Sequence, residues 1–451
     1  MTLISTRPTA TDERAVSPEG VTGTRPIGVA VRSKTARRIL IFLMVMGPGL
    51  IVMAADNDAG AVSTYTEAGY RYGTGLLWLL LLLLPCCYFI QEMVVRLGIA
   101  TGQGHAAMIY KRFGRWWGIF SLTDLELVNF LTLVTEFAAI NLATSMMGFS
   151  PYVTVPLTAA GLILMVCTAS YRRWERVTVF LCLLDTLWFY FAVKLGPGFG
   201  IAAHDTVVPG IPGGHLTSQL MFLVIAIVGT TIAPWQLFFQ QSCVADKRLR
   251  FSDLRAERLD TFIGALVVIG VAAGMMIAGD CGRRNGLVLK DFDPAQLFSF
   301  LGGVCGPWVK NALLLLMCNA AILGVTAISL SSAWAYGEVK GWPSSLQLSV
   351  RQAPGFYSVY ICAVVLAAGI VLIPGAPLQL IILSVQVLAG IILPSAIIFL
   401  QLLLNDRELL GDRFVNKPWN NWVNWTIIVV LFALSLILAA QVIAPNLFPQ
   451  T

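Results

Sequence analysis

The sequence predicts an all-α integral membrane protein of eleven transmembrane helices, with spans 1 to 10 forming a 5+5 inverted repeat and the eleventh appended. Three observations carry this reading: an apolar composition, a lopsided distribution of Lys and Arg, and two polar breaks at matching depth. Of 451 residues, 57% are hydrophobic and only 12% charged, with a mean hydropathy of +0.77. Soluble domains carry roughly 25% charge, so a water-soluble globule is excluded. A spanning helix needs about 20 apolar residues, and only segments that satisfy their own backbone hydrogen bonds cross lipid. The apolar runs therefore read as spans at 40–67, 74–97, 117–146, 153–170, 175–196, 217–243, 261–279, 308–338, 357–374, 377–404 and 423–446.

Cytoplasmic loops carry an excess of Lys and Arg. With the N-terminus inside, 24 of the 30 fall on the cytoplasmic side, and the other six are Arg71, Lys194, Arg283, Arg284, Lys290 and Lys310. The reading is a multi-pass protein of the inner (plasma) membrane with a cytoplasmic N-terminus and an extracellular or periplasmic C-terminus. The net charge of +6 is a topology signal, and its partner is the lipid bilayer rather than nucleic acid. Residues 1–36 are polar and read as a disordered cytoplasmic tail. Arg37 and Arg38 could belong to a twin-arginine signal, but no cleavage site follows, and they read as the positive flank of a retained helix. Residues 37–451 form a single transmembrane domain, with repeat 1 at about 40–196, repeat 2 at about 217–404 and the extra helix at 423–446.

Span 1 runs outward and is interrupted at Asp56-Asn57-Asp58-Ala59-Gly60; span 6 runs inward and carries Gly229-Thr230-Thr231-Ile232-Ala233-Pro234-Trp235-Gln236. Proline removes a backbone donor and glycine loosens the chain. Broken helices at mid-membrane are tolerated where they line a cavity or are buried in protein, an arrangement typical of alternating-access transporters. A charged side chain there costs at least about 2.5–3.5 kcal/mol on insertion scales, so Asp56 and Asp58 need a compensating partner, and a cation would serve. The competing reading has one aspartate capping the second half-helix while the other faces water. Two positions apart, the aspartates point away from each other unless the segment is unwound.

The polar groups near the breaks are Asp56, Asn57, Asp58, Thr230, Thr231 and Gln236, with Gln386 in span 10. Oxygen donors suit hard cations, whereas thioether and imidazole favour softer transition metals. His105, His204 and His215 lie in or beside loops, so an intramembrane histidine relay is not expected. Six cysteines within spans read as packing residues; Cys281 and Cys305, in the long outer loop before span 8, leave a disulfide open.

These residues resemble the NRAMP metal transporter family. Gly47-Pro48-Gly49 through Asp58-Ala59-Gly60-Ala61 resembles its helix 1 signature, a Gly-Pro-Gly lead followed by Asp-Pro-Gly-Asn. The likeness continues in Thr101-Gly102, in Tyr171-Arg172 through Glu175-Arg176, and in Asn405-Asp406-Arg407 through Gly411 and Phe414-Val415-Asn416. It implies a leucine-transporter-like fold with the ion held by helices 1 and 6. Carried over by position, the resemblance makes Asp58 the metal-binding aspartate, Ala55 and Thr230 carbonyl ligands, and Gln386 a helix 10 ligand. The family's Met-Pro-His becomes Ala233-Pro234-Trp235, its motif proline Ala59 and its motif asparagine Ala61.

Loss of the methionine removes a soft donor, and loss of two large ligands suits an ion that keeps several waters, as Mg²⁺ does. The pattern is similar to the NRAMP-related magnesium transporter branch, so Mg²⁺ is the expected cargo, with Mn²⁺ also possible. The family's helix 6 histidines correspond to Trp235 and Gln240 and its helix 3 aspartate to Leu133, which implies weak or absent proton coupling. Glu136 reads equally as a residual pathway acid or a structural one. Among other acids, Glu92 and Arg96 read as a local ion pair, Asp124 and Glu126 as vestibule residues or partners of basic neighbours, and Asp185 as a buried structural partner. Trp235 reads equally as a gate or as packing. The alternatives are a proton-coupled Mn²⁺ or Fe²⁺ importer and, from another class, a membrane ion sensor. Neither a resident cofactor nor an enzymatic site is expected.

Overall fold

The computed structural model describes residues 47–214, 217–373 and 378–443. The tail at 1–36 and the end of span 11 beyond residue 443 lie outside them. Span 1 is a broken helix, α1 (Pro48–Asp56) and α2 (Ala59–Tyr72), followed by α3 (Leu77–Thr101), the short α4 (His105–Phe113) and α5 (Arg115–Met146). Span 4 is α6 (Pro151–Val166), and span 5 is split at Thr186 into α7 (Tyr171–Asp185) and α8 (Leu187–Leu195), with α9 (Phe199–Val207) after it. Span 6 is the second broken helix, α10 (Ser218–Thr231) and α11 (Pro234–Asp246). The rest are α12 (Leu254–Arg284), α13 (Pro294–Cys305), α14 (Pro307–Lys340), α15 (Pro354–Val371), α16 (Leu378–Leu403), α17 (Arg407–Phe414) and α18 (Pro418–Ile443).

Each of the eleven apolar runs contains helix, and helices 1 and 6 are the broken ones. By length and composition, eight helices among the described residues suffice to cross a membrane, or nine if α17 is joined to the end of α16 across their 72° bend. The count of eleven differs for identifiable reasons. Helix 1 is divided into 9- and 14-residue pieces, and α6 has only 16 residues. Helix 7 is longer than the 261–279 read from hydropathy: it runs from Leu254 to Arg284, with charged ends in which Arg258 pairs with Glu92 and Asp280 with Arg283 and Arg284.

Both breaks are shorter than the sequence suggests. Only Asn57 and Asp58 separate α1 from α2, and only Ile232 and Ala233 separate α10 from α11. Asp58 Oδ1 accepts the Ala61 N–H at 2.8 Å as the N-cap of α2, so the helix restarts at once. Pro234 occupies the first position of α11, where its missing N–H is no loss.

Helix α12 braces both halves of helix 1 through small residues, which let helices approach closely in membranes. A Cβ on Gly264 would lie 2.9 Å from the Gly49 carbonyl oxygen, and one on Gly279 would lie 2.0 Å from that of Thr66. From the other side, a Cβ on Gly69 would meet the Met276 carbonyl oxygen at 1.8 Å. Helix α5 packs along α14, and the two bring Glu136 and Gly324 beside the first break.

Cys281 and Cys305 stand as free thiols, and they lie in α12 and at the end of α13 rather than in a loop. Asp185 accepts from Asn319 Nδ2 at 2.7 Å, which places it as a buried structural partner next to the bend in helix 5.

Overpacking a tight contact costs about 1–3 kcal/mol. Gly279→Ala is therefore expected to lower the melting temperature of detergent-purified protein. Gly303→Ala, where an added Cβ meets nothing within 4 Å, should leave it nearly unchanged. Equal melting temperatures for the two would contradict the close packing of α2 on α12.

Candidate functional site

Four half-helix ends meet where helices 1 and 6 break. The last carbonyls of α1 and α10 lie beyond reach of their own helices and carry the negative end of the helix dipole. Ala55 is in the last turn of α1 and Thr230 in the last turn of α10. Asp56, Asp58 and Thr230 are 2%, 4% and 2% exposed, so the region is closed to solvent.

Asp56 accepts a short hydrogen bond from Gln236 Nε2, and Gln236 Oε1 accepts from Gln91 Nε2 at 2.7 Å. This chain of side chains ties the first break to the second and to α3. Asp56 is thus turned toward helix 6 rather than toward water, and its Oδ2 has no hydrogen-bond partner. Asn57 donates to the Val268 carbonyl oxygen at 3.3 Å and leaves its own Oδ1 unpartnered. Thr230 Oγ1 is likewise unpartnered, while Thr231 Oγ1 lies 2.7 Å from the Tyr65 hydroxyl.

Glu136, fully buried on α5, accepts the Ala59 N–H at 3.0 Å with Oε2 and leaves Oε1 unpartnered. It joins Asp58 at the start of α2, where the partial positive charge of a helix N-terminus favours anions. A Cβ placed on Gly324 would lie 2.8 Å from Glu136 Oε2 and 3.1 Å from the Asp58 Cβ, which shows how close the two acids are. Among the described residues, neither Asp56, Asp58 nor Glu136 forms an ion pair.

The donors here are carboxylate, amide, hydroxyl and backbone carbonyl oxygens, together with one buried thiol, Cys87, which donates to the Thr231 carbonyl oxygen at 3.5 Å. No group of three or more His, Cys, Asp or Glu side chains able to hold a metal is present among the described residues. A cation would have to be held by a mixed set of side-chain and carbonyl oxygens, with water completing it. Ala233, 6% exposed, and Ala61, fully buried, bring no donor beyond their backbone. Gln386 is helical in α16, and its side chain lies outside the described residues.

Gln91 was not among the residues singled out from sequence, although an amide in an apolar helix beside Glu92 is a signal of a buried polar partner. Glu136 was noted only as an acid on span 3; its contact with the break depends on how α5 lies against α2. Trp235 is 1% exposed and packs edge-on against Phe239, with ring centroids 6.0 Å apart, and Phe239 in turn contacts Trp174 and Trp334. Glu92 pairs with Arg96 at 3.2 Å as expected, and also with Arg258 at 2.6 Å. Asp124 accepts from Ser395, not from a basic neighbour. His105 starts α4 and is fully buried, its Nδ1 3.0 Å from Gln241 Oε1 on α11. Burial pushes its imidazole down to about 4 against the opposing pull of the Gln241 hydrogen bond, so it is neutral at physiological pH.

Removing a partner from a buried donor costs about 1–3 kcal/mol. Glu136→Leu, which orphans the Ala59 N–H, is expected to lower the thermal stability of purified protein by that order. Glu136→Gln keeps an acceptor and should lose clearly less. Equal stability of the leucine variant and the parent would remove Glu136 from the cap of α2.

The family model described as natural resistance-associated macrophage protein-like matches residues 49–441. A divalent metal cation transporter named MntH from Staphylococcus aureus is 24% identical over 424 residues, covering 89% of this chain and 91% of that protein. Among solved structures, the manganese transporter of Eremococcus coleocola aligns with a TM-score of 0.73 at 19% identity, over 91% of this chain and 89% of that one. MhsT in complex with L-phenylalanine aligns at 0.60 and 15%, over 87% of this chain and 97% of that one. Both likenesses show the leucine-transporter-like fold that the family resemblance implied. With the family match running from the first turn of α1 to the end of α18, the chain belongs to the natural resistance-associated macrophage protein-like family of membrane transporters.

Proposed function

We propose that this protein imports divalent cations, Mg²⁺ first and Mn²⁺ second, by alternating access around the two breaks and without strong proton coupling. In this reading the N-terminus is cytoplasmic, as the distribution of basic residues implies, and the C-terminus faces outward. The observation that carries the proposal is the donor set. Unpartnered oxygens of Asp56, Asn57 and Thr230 are buried beside the carboxylate of Asp58, with no imidazole among them, and the nearby Cys87 thiol is turned to the Thr231 carbonyl oxygen at 3.5 Å. Soft donors select transition metals, whereas all-oxygen sites suit Mg²⁺, Ca²⁺ and Mn²⁺.

Divalent metal as the class of cargo is supported by the names of the relatives, a divalent metal cation transporter and a manganese transporter. The preference for Mg²⁺ rests on Ala61 and Ala233, whose methyl groups offer no side-chain ligand and so suit an ion that gives up its waters reluctantly. In the proposed site Asp58 supplies the principal charge. Asp56, Asn57, Gln236 and Gln386 supply further side-chain oxygens directly or through water, and Ala55, Thr230 and Ala233 offer carbonyls. An inside-negative potential favours entry by about 2.3 kcal/mol per charge per 100 mV, hence about 4.6 kcal/mol for a divalent ion, without need of a proton gradient.

A second reading, proton-coupled import of Mn²⁺ or Fe²⁺, is favoured by the adjacent acids Asp58 and Glu136, either of which could carry a proton in exchange for the ion. Reconstitution into liposomes separates the two. Mg²⁺ uptake is expected to rise with an inside-negative potential and to leave lumenal pH nearly constant, and Asp58→Ala should reduce it at least about tenfold, the equivalent of 1.4 kcal/mol. Manganese uptake accompanied by lumenal acidification, with no Mg²⁺ flux, would establish the second reading instead.

A further inference from the structure

Asp260 on α12 takes no part in the cation site, yet it holds the start of the half-helix that ends there. The first N–H groups of any helix lack intrahelical partners, and Pro48 contributes none. The three that remain at the start of α1, those of Gly47, Gly49 and Leu50, all donate to one oxygen, Asp260 Oδ2, at 3.2, 2.8 and 3.3 Å. Charge-assisted bonds to a buried carboxylate are the stronger kind, and the positive end of the helix dipole adds to them. Asp260 is fully buried.

The glycines make this approach possible. A Cβ on Gly49 would lie 2.8 Å from Asp260 Oδ2 and 2.9 Å from the Thr261 amide nitrogen. Gly47 has φ 151°, a backbone region suited to glycine, and a Cβ there would lie 2.6 Å from Glu175 Oε1. Glu175 is itself paired with Lys247 at 2.7 Å, so an ion pair between α7 and the residue after α11 closes over the same end.

Both halves of helix 1 interlock with α12 through backbone and glycine, α2 at Gly69 and Gly279 and α1 at Gly49 and Gly264. Only the start of α1 adds a side chain that takes its free N–H groups, Asp260, whose three bonds can break together. Between the halves lie only Asn57 and Asp58, in non-helical conformation, so α1 can pivot without carrying α2.

We propose that Asp260 is the inner latch of the transport cycle: it holds α1 against α12 while the site is closed toward the cytoplasm, and its release frees α1 to open that side. The proposal rests on the alternating-access reading and on the orientation given above, with Asp260 a positioning residue rather than a cation ligand.

Hydrogen exchange read by mass spectrometry on the full chain in lipid nanodiscs tests it. In Asp260→Ala, amides of 47–56 are expected to exchange about tenfold faster than in the parent, with 59–72 and 271–284 unchanged, because local opening alone is facilitated. If that variant does not fold, Asp260→Asn, which keeps one neutral acceptor, carries the same test with an increase of about two- to fivefold. Unchanged exchange in 47–56 would overturn the latch. So would acceleration spread equally over 59–72 and 271–284, which would mark Asp260 as a general stabilising residue. Mg²⁺ uptake by the parent, measured on the same preparation, keeps the two proposals apart: selective release of 47–56 without uptake would retain the latch and reject the cargo, and uptake without selective release would do the reverse.

Discussion

Two carboxylates meet the first turn of α2: Asp58 caps the Ala61 N–H and Glu136 takes the Ala59 N–H. The rest of the site depends on this junction. Restarting a helix at mid-membrane exposes donors that lipid cannot satisfy. Meeting them with acids concentrates negative charge where the carbonyl ends of α1 and α10 also converge. No ion pair neutralises that charge among the described residues, and this is the physical reason the region is suited to a positive guest. The same arrangement keeps the break to two residues, so regular helix runs up to it on either side.

Around the junction, the scaffold divides its work. Helix α12 carries both halves of helix 1 by close glycine packing and adds the Asp260 hydrogen bonds at the start of α1. Helix α5 delivers Glu136, and α3 delivers Gln91 to hold Gln236 against Asp56. On the side of α11, the cluster of Trp174, Trp235, Phe239 and Trp334 fills space beside the break with side chains that donate no ligand. Small residues and aromatics thus shape the site, while a few acids and amides supply its chemistry.

Much of this was legible in the chain. Apolar runs and basic loops located the helices, and Pro234 with the Asp56–Gly60 segment located the breaks. Other features were less accessible. Hydropathy marked 56–60 as a broad interruption because it weighs Asp and Gly as polar or flexible. It cannot register that Asp58 satisfies an amide of the helix it interrupts. Asp260 drew no attention as one acid near a loop, because its three donors lie more than 200 positions away in the chain.

The sequence by itself determined the membrane class, the family, the two broken helices and the oxygen-rich character of the break segments. These follow from composition, local helix-breaking residues and motif order, all of which are properties of neighbouring residues. Only the tertiary structure decided that Glu136 shares the start of α2 with Asp58, that Asp56 turns to Gln236, and that Asp260 fastens α1. Each of these is a contact between helices distant in sequence, chosen by which faces can approach closely and by which buried donors still need an acceptor.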